Sequence, residues 1–125
     1  MGYEKVTKLL LESRADPNLQ DERGNTALIL STEMGHETIV KLLIAAGADL
    51  NTRNNDGYTA LIAAAYSGHE DITIAIRDAG GDMDVKDSNG MTAYLWALHM
   101  GYKNIEKCLL EKAYSGLEAN SSPTS

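Results

Sequence analysis

Gly24-Asn25-Thr26-Ala27-Leu28 returns as Gly57-Tyr58-Thr59-Ala60-Leu61 and again as Gly90-Met91-Thr92-Ala93-Tyr94. Farther along each unit, Gly35-His36-Glu37 returns as Gly68-His69-Glu70 and, loosened, as Gly101-Tyr102-Lys103. A fixed period of about 33 residues marks a solenoid, in which no unit buries its apolar face alone and neighbours must stack. Stacks of this kind present extended surfaces that bind other molecules. The repeat therefore sets the class of function to expect along with the fold.

Residues 21–53 make the best-formed unit. Asp21-Glu22-Arg23-Gly24-Asn25 is polar and holds a glycine, the composition of a turn. Thr26 is placed to cap a helix, its hydroxyl accepting from an otherwise unpaired N–H. The sequence predicts a short helix over Ala27 to Met34, ended by Gly35 in the left-handed conformation. A second helix is expected from His36 to Ala46, with Ile39, Val40, Leu42 and Leu43 on its apolar side and Gly47 at its end. The link of one glycine between the two predicts an antiparallel pair. The fold class expected is all-α: a solenoid of stacked antiparallel helix pairs joined by β-turn or hairpin loops.

The unit resembles the ankyrin repeat, whose pattern runs from a turn through Gly-x-Thr-Pro-Leu-His, a short helix, Gly-His and a second helix to Gly-Ala-Asp-x-Asn. Gly24, Thr26, Leu28, Gly35, His36, Leu43, Gly47, Ala48, Asp49 and Asn51 stand at the matching places. The resemblance covers residues 2–113. The proline and second histidine of the pattern are absent throughout: the chain has Thr26-Ala27-Leu28-Ile29, Thr59-Ala60-Leu61-Ile62 and Thr92-Ala93-Tyr94-Leu95. Alanine starts a helix well, and apolar packing by Ile29, Ile62 and Leu95 is expected to replace the histidine's hydrogen-bonded bridge.

Aligning the copies divides the chain. An ankyrin domain spans residues 1–114, with a partial unit at 2–20, full units at 21–53 and 54–86, and a terminal unit at 87–113. The partial unit keeps its second helix, over residues 2–14, and has Arg14 where the helix-ending glycine would stand, so a strained or remodelled turn is expected there. Residues 115–125 lose the period and are expected to form a disordered tail or linker. The half-unit start and linker-like end suggest a segment of a longer protein; a naturally short chain is the alternative, because Met1 aligns with Met34 and Met100.

Composition narrows the function. The net charge of −7 argues against binding nucleic acid. No apolar run approaches the roughly 20 residues of a membrane helix, and the start lacks a secretion signal. A single cysteine allows no internal disulfide, which favours an intracellular setting, cytoplasmic or nuclear. A monomer without cofactor is expected.

No catalytic or metal constellation stands out. His36 and His69 share one register position and are read as structural. Asp16, Asp49 and Asp82 recur after each second helix and are read as turn formers. Cys108 is expected to be a buried, inert thiol. Arg77 stands where Ile44 and Leu110 stand in other units, and is expected to lay its stem along the layer with its guanidinium in water. Ile74, at the outward place of Lys41 and Lys107, offers the alternative of a rotated helix with a second contact surface.

The ankyrin resemblance implies binding of a protein or peptide through the concave groove and the fingertips. Positions that break the repeat there are Arg23, Asn25, Tyr58 and Met91 on the fingers, with Glu33, Met34, Tyr66, Trp96, His99 and Met100 on the short helices. Trp and Tyr are favoured anchors of binding energy. Trp96 either faces the groove or fills space against Tyr94. The acidic balance favours a basic or amphipathic partner. Asn51 either supports its turn or, by likeness to ankyrin asparagines that are hydroxylated, is a modification site. The alternative function is a regulatory or inhibitory segment docking on an enzyme within a larger protein.

Overall fold

The computed structural model describes residues 8–10 and 16–110. The predicted helix over 2–14 lies mostly outside them, and the turn at Arg14, residues 111–113 and the tail at 115–125 lie wholly outside.

Each turn-and-threonine segment starts a short helix: α1 (Ala27–Glu33), α3 (Ala60–Ser67) and α5 (Ala93–Met100). Each first helix is followed by a second, α2 (Glu37–Ala45) and α4 (Glu70–Asp78), and residues 103–110 are helical in the same position. No strand occurs among the described residues. The boundaries fall a residue inside the expected ones: Met34 and His36 are cap positions, as is Ala46.

Local chemistry explains the starts. Thr26, Thr59 and Thr92 each hold an extended backbone and accept from the N–H three residues on, at 3.2 Å. Helices this short are marginal alone, so their stability comes from packing. Helix α1 packs on α2 and α3, and α3 packs on α4 and α5. Ala27 to Thr32 and Ala60 to Ala65 are buried without a break. Small side chains let these helices lie close. The buried Ser31 hydroxyl donates back to a carbonyl of its own helix, that of Ala27, at 2.8 Å. Thr59 is fully buried. Losing its cap in Thr59→Ala is expected to lower stability by about 1–2 kcal/mol. A shift of the urea midpoint would measure it, and an unchanged midpoint would remove the cap from this account.

The fingers are stitched at the repeat distance. The Asn55 N–H donates to the Arg23 carbonyl at 2.9 Å, and the Ser88 N–H to the Asp56 carbonyl at 3.1 Å. Gln20 Nε2 reaches the Arg53 carbonyl, and one Arg53 guanidinium nitrogen reaches the Lys86 carbonyl at 2.8 Å. Gly57 shows why this contact needs glycine. Its φ is +83°, and a Cβ there would sit 2.8 Å from the Ser88 nitrogen.

Both isoleucines expected to replace the family's histidine, Ile29 and Ile62, are 1% exposed. Leu95 is 38% exposed instead, because no described unit covers it. On α2 the core-facing residues are Val40 and Leu43. Leu42, expected on the apolar side, is 65% exposed. Ile39, Val40, Leu42, Leu43 and Ile44 leave apolar residues on more than one side of the helix, and only packing chooses among them.

Arg77 also departs from expectation. Its guanidinium is directed not to water but to the Cys108 carbonyl, at 2.9 Å, and to the Asp78 carboxylate. It thereby ties α4 to the helix of the terminal unit. Cys108 is half-buried rather than buried, and Ile74 is half-buried too.

Candidate functional site

The third residue before each finger glycine sets the geometry of that finger. Asp21 Oδ1 accepts from the N–H groups of Arg23 and Asn25, Asn54 Oδ1 from those of Asp56 and Tyr58, and Asp87 Oδ1 from those of Asn89 and Met91, all at 2.8–3.0 Å. Such side-chain turns are a favoured use of Asp and Asn. Asp16, Asp49 and Asp82, the turn formers expected from sequence, do accept from the N–H two residues on. Asp21, Asn54 and Asp87 were not expected to do so, although an Asx residue stands three places before each of these finger glycines.

Asp87 does more than hold its finger. Its second oxygen accepts the indole N–H of Trp96 at 2.7 Å, and its side chain is buried. Burial alone pushes the Asp87 carboxyl upward, because a charged group loses solvation. Hydrogen bonds from the Met91 N–H, the Trp96 indole and the Asn89 N–H together outweigh burial and hold the group below its ordinary value.

Trp96 begins a series of rings. Its indole meets the Tyr66 ring edge-on at 5.6 Å, and Tyr66 meets Tyr58 at 5.0 Å with a tilt of 59°. On the other side, His99 stands edge-on to Trp96 at 6.0 Å. These are separations and angles at which aromatic pairs attract. The Tyr66 hydroxyl donates to the Glu33 carboxylate of the preceding unit. Burial, and after it the hydrogen bond and charge of Glu33, raise the Tyr66 phenol far above its ordinary value. Burial, then the charges of Asp87, Asp56 and Glu33, push the Tyr58 phenol up as well. Both are neutral phenols in an acidic surround.

Five of the predicted contact residues, Glu33, Tyr58, Tyr66, Trp96 and His99, thus form one connected group that crosses three units. Trp96 is half-buried, anchored at its N–H and partly open. Arg23 is exposed at its fingertip, and Met100 is 44% exposed. Met34 and Met91 are half-buried, Met34 against the core. Asn25 fits the expectation least. It is 8% exposed, and its amide oxygen accepts from Asn54 Nδ2 at 2.9 Å, so it joins two fingers from inside.

His69 and Asn51 each reach from one unit to another. His69 lies over Gly35, whose added Cβ would fall 2.9 Å from the ring, and its Nε2 is 3.3 Å from the Glu33 carbonyl. Tyr102 covers Gly68 in the same way. Asn51 is exposed, with its side-chain oxygen accepting the Asp82 N–H at 2.9 Å, as Asn18 accepts the Asp49 N–H. Among the described residues, no group of three His, Cys, Asp or Glu side chains is placed to hold a metal ion. No helix among them is long and apolar enough to cross a membrane.

A family model for ankyrin repeats, in three copies, matches residues 1–87. No curated protein matches the chain. Beyond the matched span, the Thr92 cap, the left-handed Gly101 and the ring of Tyr102 over Gly68 carry the same geometry through the terminal unit. With well over half of its length matched and the repeat geometry running through to residue 110, the chain belongs to the ankyrin repeat family.

Proposed function

We propose that this chain binds a partner protein through the side formed by its fingers and short helices, with the rings of Tyr58, Tyr66 and Trp96 as the anchor. Ankyrin repeats are generally protein–protein interaction modules and are generally not catalytic. The observation that carries the finer reading is the ring series itself. Half-buried aromatic residues, held by mutual packing and by hydrogen bonds to Glu33 and Asp87, form a pre-organised surface. Such a surface loses little entropy on binding.

Charge gives the partner its character. Glu33 lies beside the rings and Asp56 on the finger next to them, and the chain as a whole is acidic. A partner that brings Lys or Arg side chains gains both charge complementarity and contact with the ring faces. A basic or amphipathic segment fits this description.

The test is affinity capture by the wild type beside a Tyr66→Ala, Trp96→Ala double variant whose helix content is checked by circular dichroism. Losing two anchors of about 2 kcal/mol each is expected to weaken binding by roughly three orders of magnitude. A folded variant that retains every partner would overturn the assignment.

A further inference from the structure

Among the described residues, the large apolar side chains left exposed are Leu42, Leu95, Leu98, Met100 and Leu110, and all but the first belong to the terminal unit. Leu95 is 38% exposed where its counterparts Ile29 and Ile62 are 1%, and Leu98 is 46% exposed where its counterparts Thr32 and Ala65 are fully buried. Inside the stack the helices that carry those counterparts are packed on by the short helix of the following unit. A hollow of about 270 Å³ also opens in the terminal unit, between Met83, Tyr94, Leu109 and Leu110.

The backbone shows the same thing independently. Gly24 and Gly57 each receive the next finger, whose backbone would come within 3.0 Å of an added Cβ. Gly35 and Gly68 each receive a ring, of His69 and Tyr102. Gly90 and Gly101 keep the same left-handed conformation, at φ +80° and +78°, yet an added Cβ would meet nothing within 4 Å at either. The Arg23 and Asp56 carbonyls accept from the next finger, whereas the equivalent Asn89 carbonyl has no donor among the described residues.

We propose that this terminal face is a docking socket for one further repeat unit of the same construction, stacked in register. The wells already filled elsewhere in the chain specify that occupant. Its finger N–H meets the Asn89 carbonyl, an imidazole or phenol ring lies over Gly101, and a helix of small residues like Ala60 to Ala65 covers Leu95 and Leu98. A second copy of this chain does not offer such a helix, because Ala27 to Thr32 of α1 are already buried. The socket is distinct from the ring series, which uses other positions of α5.

The test duplicates residues 78–110 directly after Leu110 in the full chain, which places a second terminal unit in register behind the first. Hydrogen exchange of the amides in 93–100 is expected to slow by about tenfold or more in the first copy, and a Gly/Ser insertion of equal length is expected not to slow it. Unchanged exchange in α5, or loss of protection in α3, means that the unit has not docked and overturns the proposal. In the unduplicated chain, Leu95→Lys with Leu98→Lys is expected to leave the protein folded, and in the duplicated chain to remove the slowing. Unfolding of the unduplicated variant would assign the two leucines to the chain's own core and overturn the socket. Sedimentation of the unmodified chain is expected to show a monomer. A dimer dispersed by the same two lysines would give the face to a second copy and overturn it as well.

Discussion

Ile62→Ala is expected to lower the stability of the array by about 2–5 kcal/mol, the range for removing a large aliphatic side chain from a packed core. Ile62 is 1% exposed and sits on α3, the short helix packed on both α1 and α5. A small domain is stable by only about 5–15 kcal/mol in total, so this one change removes a large part of it. The loss has a particular form in a solenoid. Each unit contacts only its neighbours, so weakening the middle one uncouples the two ends. Urea unfolding of Ile62→Ala is therefore expected to move to lower midpoint and to become less steep, with Trp96 fluorescence reporting the terminal units first. Leu95→Ala is the comparison: the same register position, 38% exposed, is expected to cost less than half as much. Equal losses at the two sites would mean that burial by the next unit is not what makes Ile62 matter.

The contrast between these two positions also shows what could be read from the sequence. The threonine caps, the left-handed glycines and the antiparallel helix pairs were legible because each depends on a few adjacent residues with narrow conformational preferences. Thr59 needs only an N–H three residues away, and Gly57 only a turn. What depended on the neighbouring unit was not legible. Leu95 reads like Ile62 in sequence, and its exposure is decided by whether a unit follows. Leu42 could not be told from Leu43 because apolar residues lie on more than one side of α2. Asn25 looked like a variable fingertip residue, and only the Asn54 amide across the finger boundary makes it an interior one. Of the site, the identity of the ring-bearing residues was visible as departures from the repeat. Their connection was not, since Glu33 to Tyr66 and Tyr66 to Trp96 are contacts between units.

Asp87 joins these two levels, and substituting it is expected to separate them. Asp87→Ala removes the acceptor of three N–H donors, those of Asn89, Met91 and the Trp96 indole. At about 1 kcal/mol for each lost bond, the expected cost is about 3 kcal/mol, with the finger and the indole released together. Asp87→Asn is milder and more informative. Asn54 shows that an amide oxygen holds a finger equally well, accepting from Asp56 and Tyr58 at 3.0 and 2.9 Å. In Asp87→Asn, however, the amide NH2 takes the place of Oδ2 and faces the indole N–H, donor against donor. The finger is expected to stay formed while Trp96 loses its anchor, seen as a red shift and broadening of its emission with little change in helix content. Partner binding should then fall with Trp96 even though the finger backbone is intact. The pH dependence supplies a second readout. The Asp87 carboxyl titrates below its unfolded value of 3.8 in the folded protein. Its contribution is therefore fully present above that value and is lost as pH falls below it. Asp87→Asn carries no such group, so its stability is expected to fall less steeply below pH 3.8 than that of the wild type. If neither variant shifts Trp96 emission, the carboxylate anchors only the finger, and the indole is held by its packing on Tyr66 rather than by the hydrogen bond.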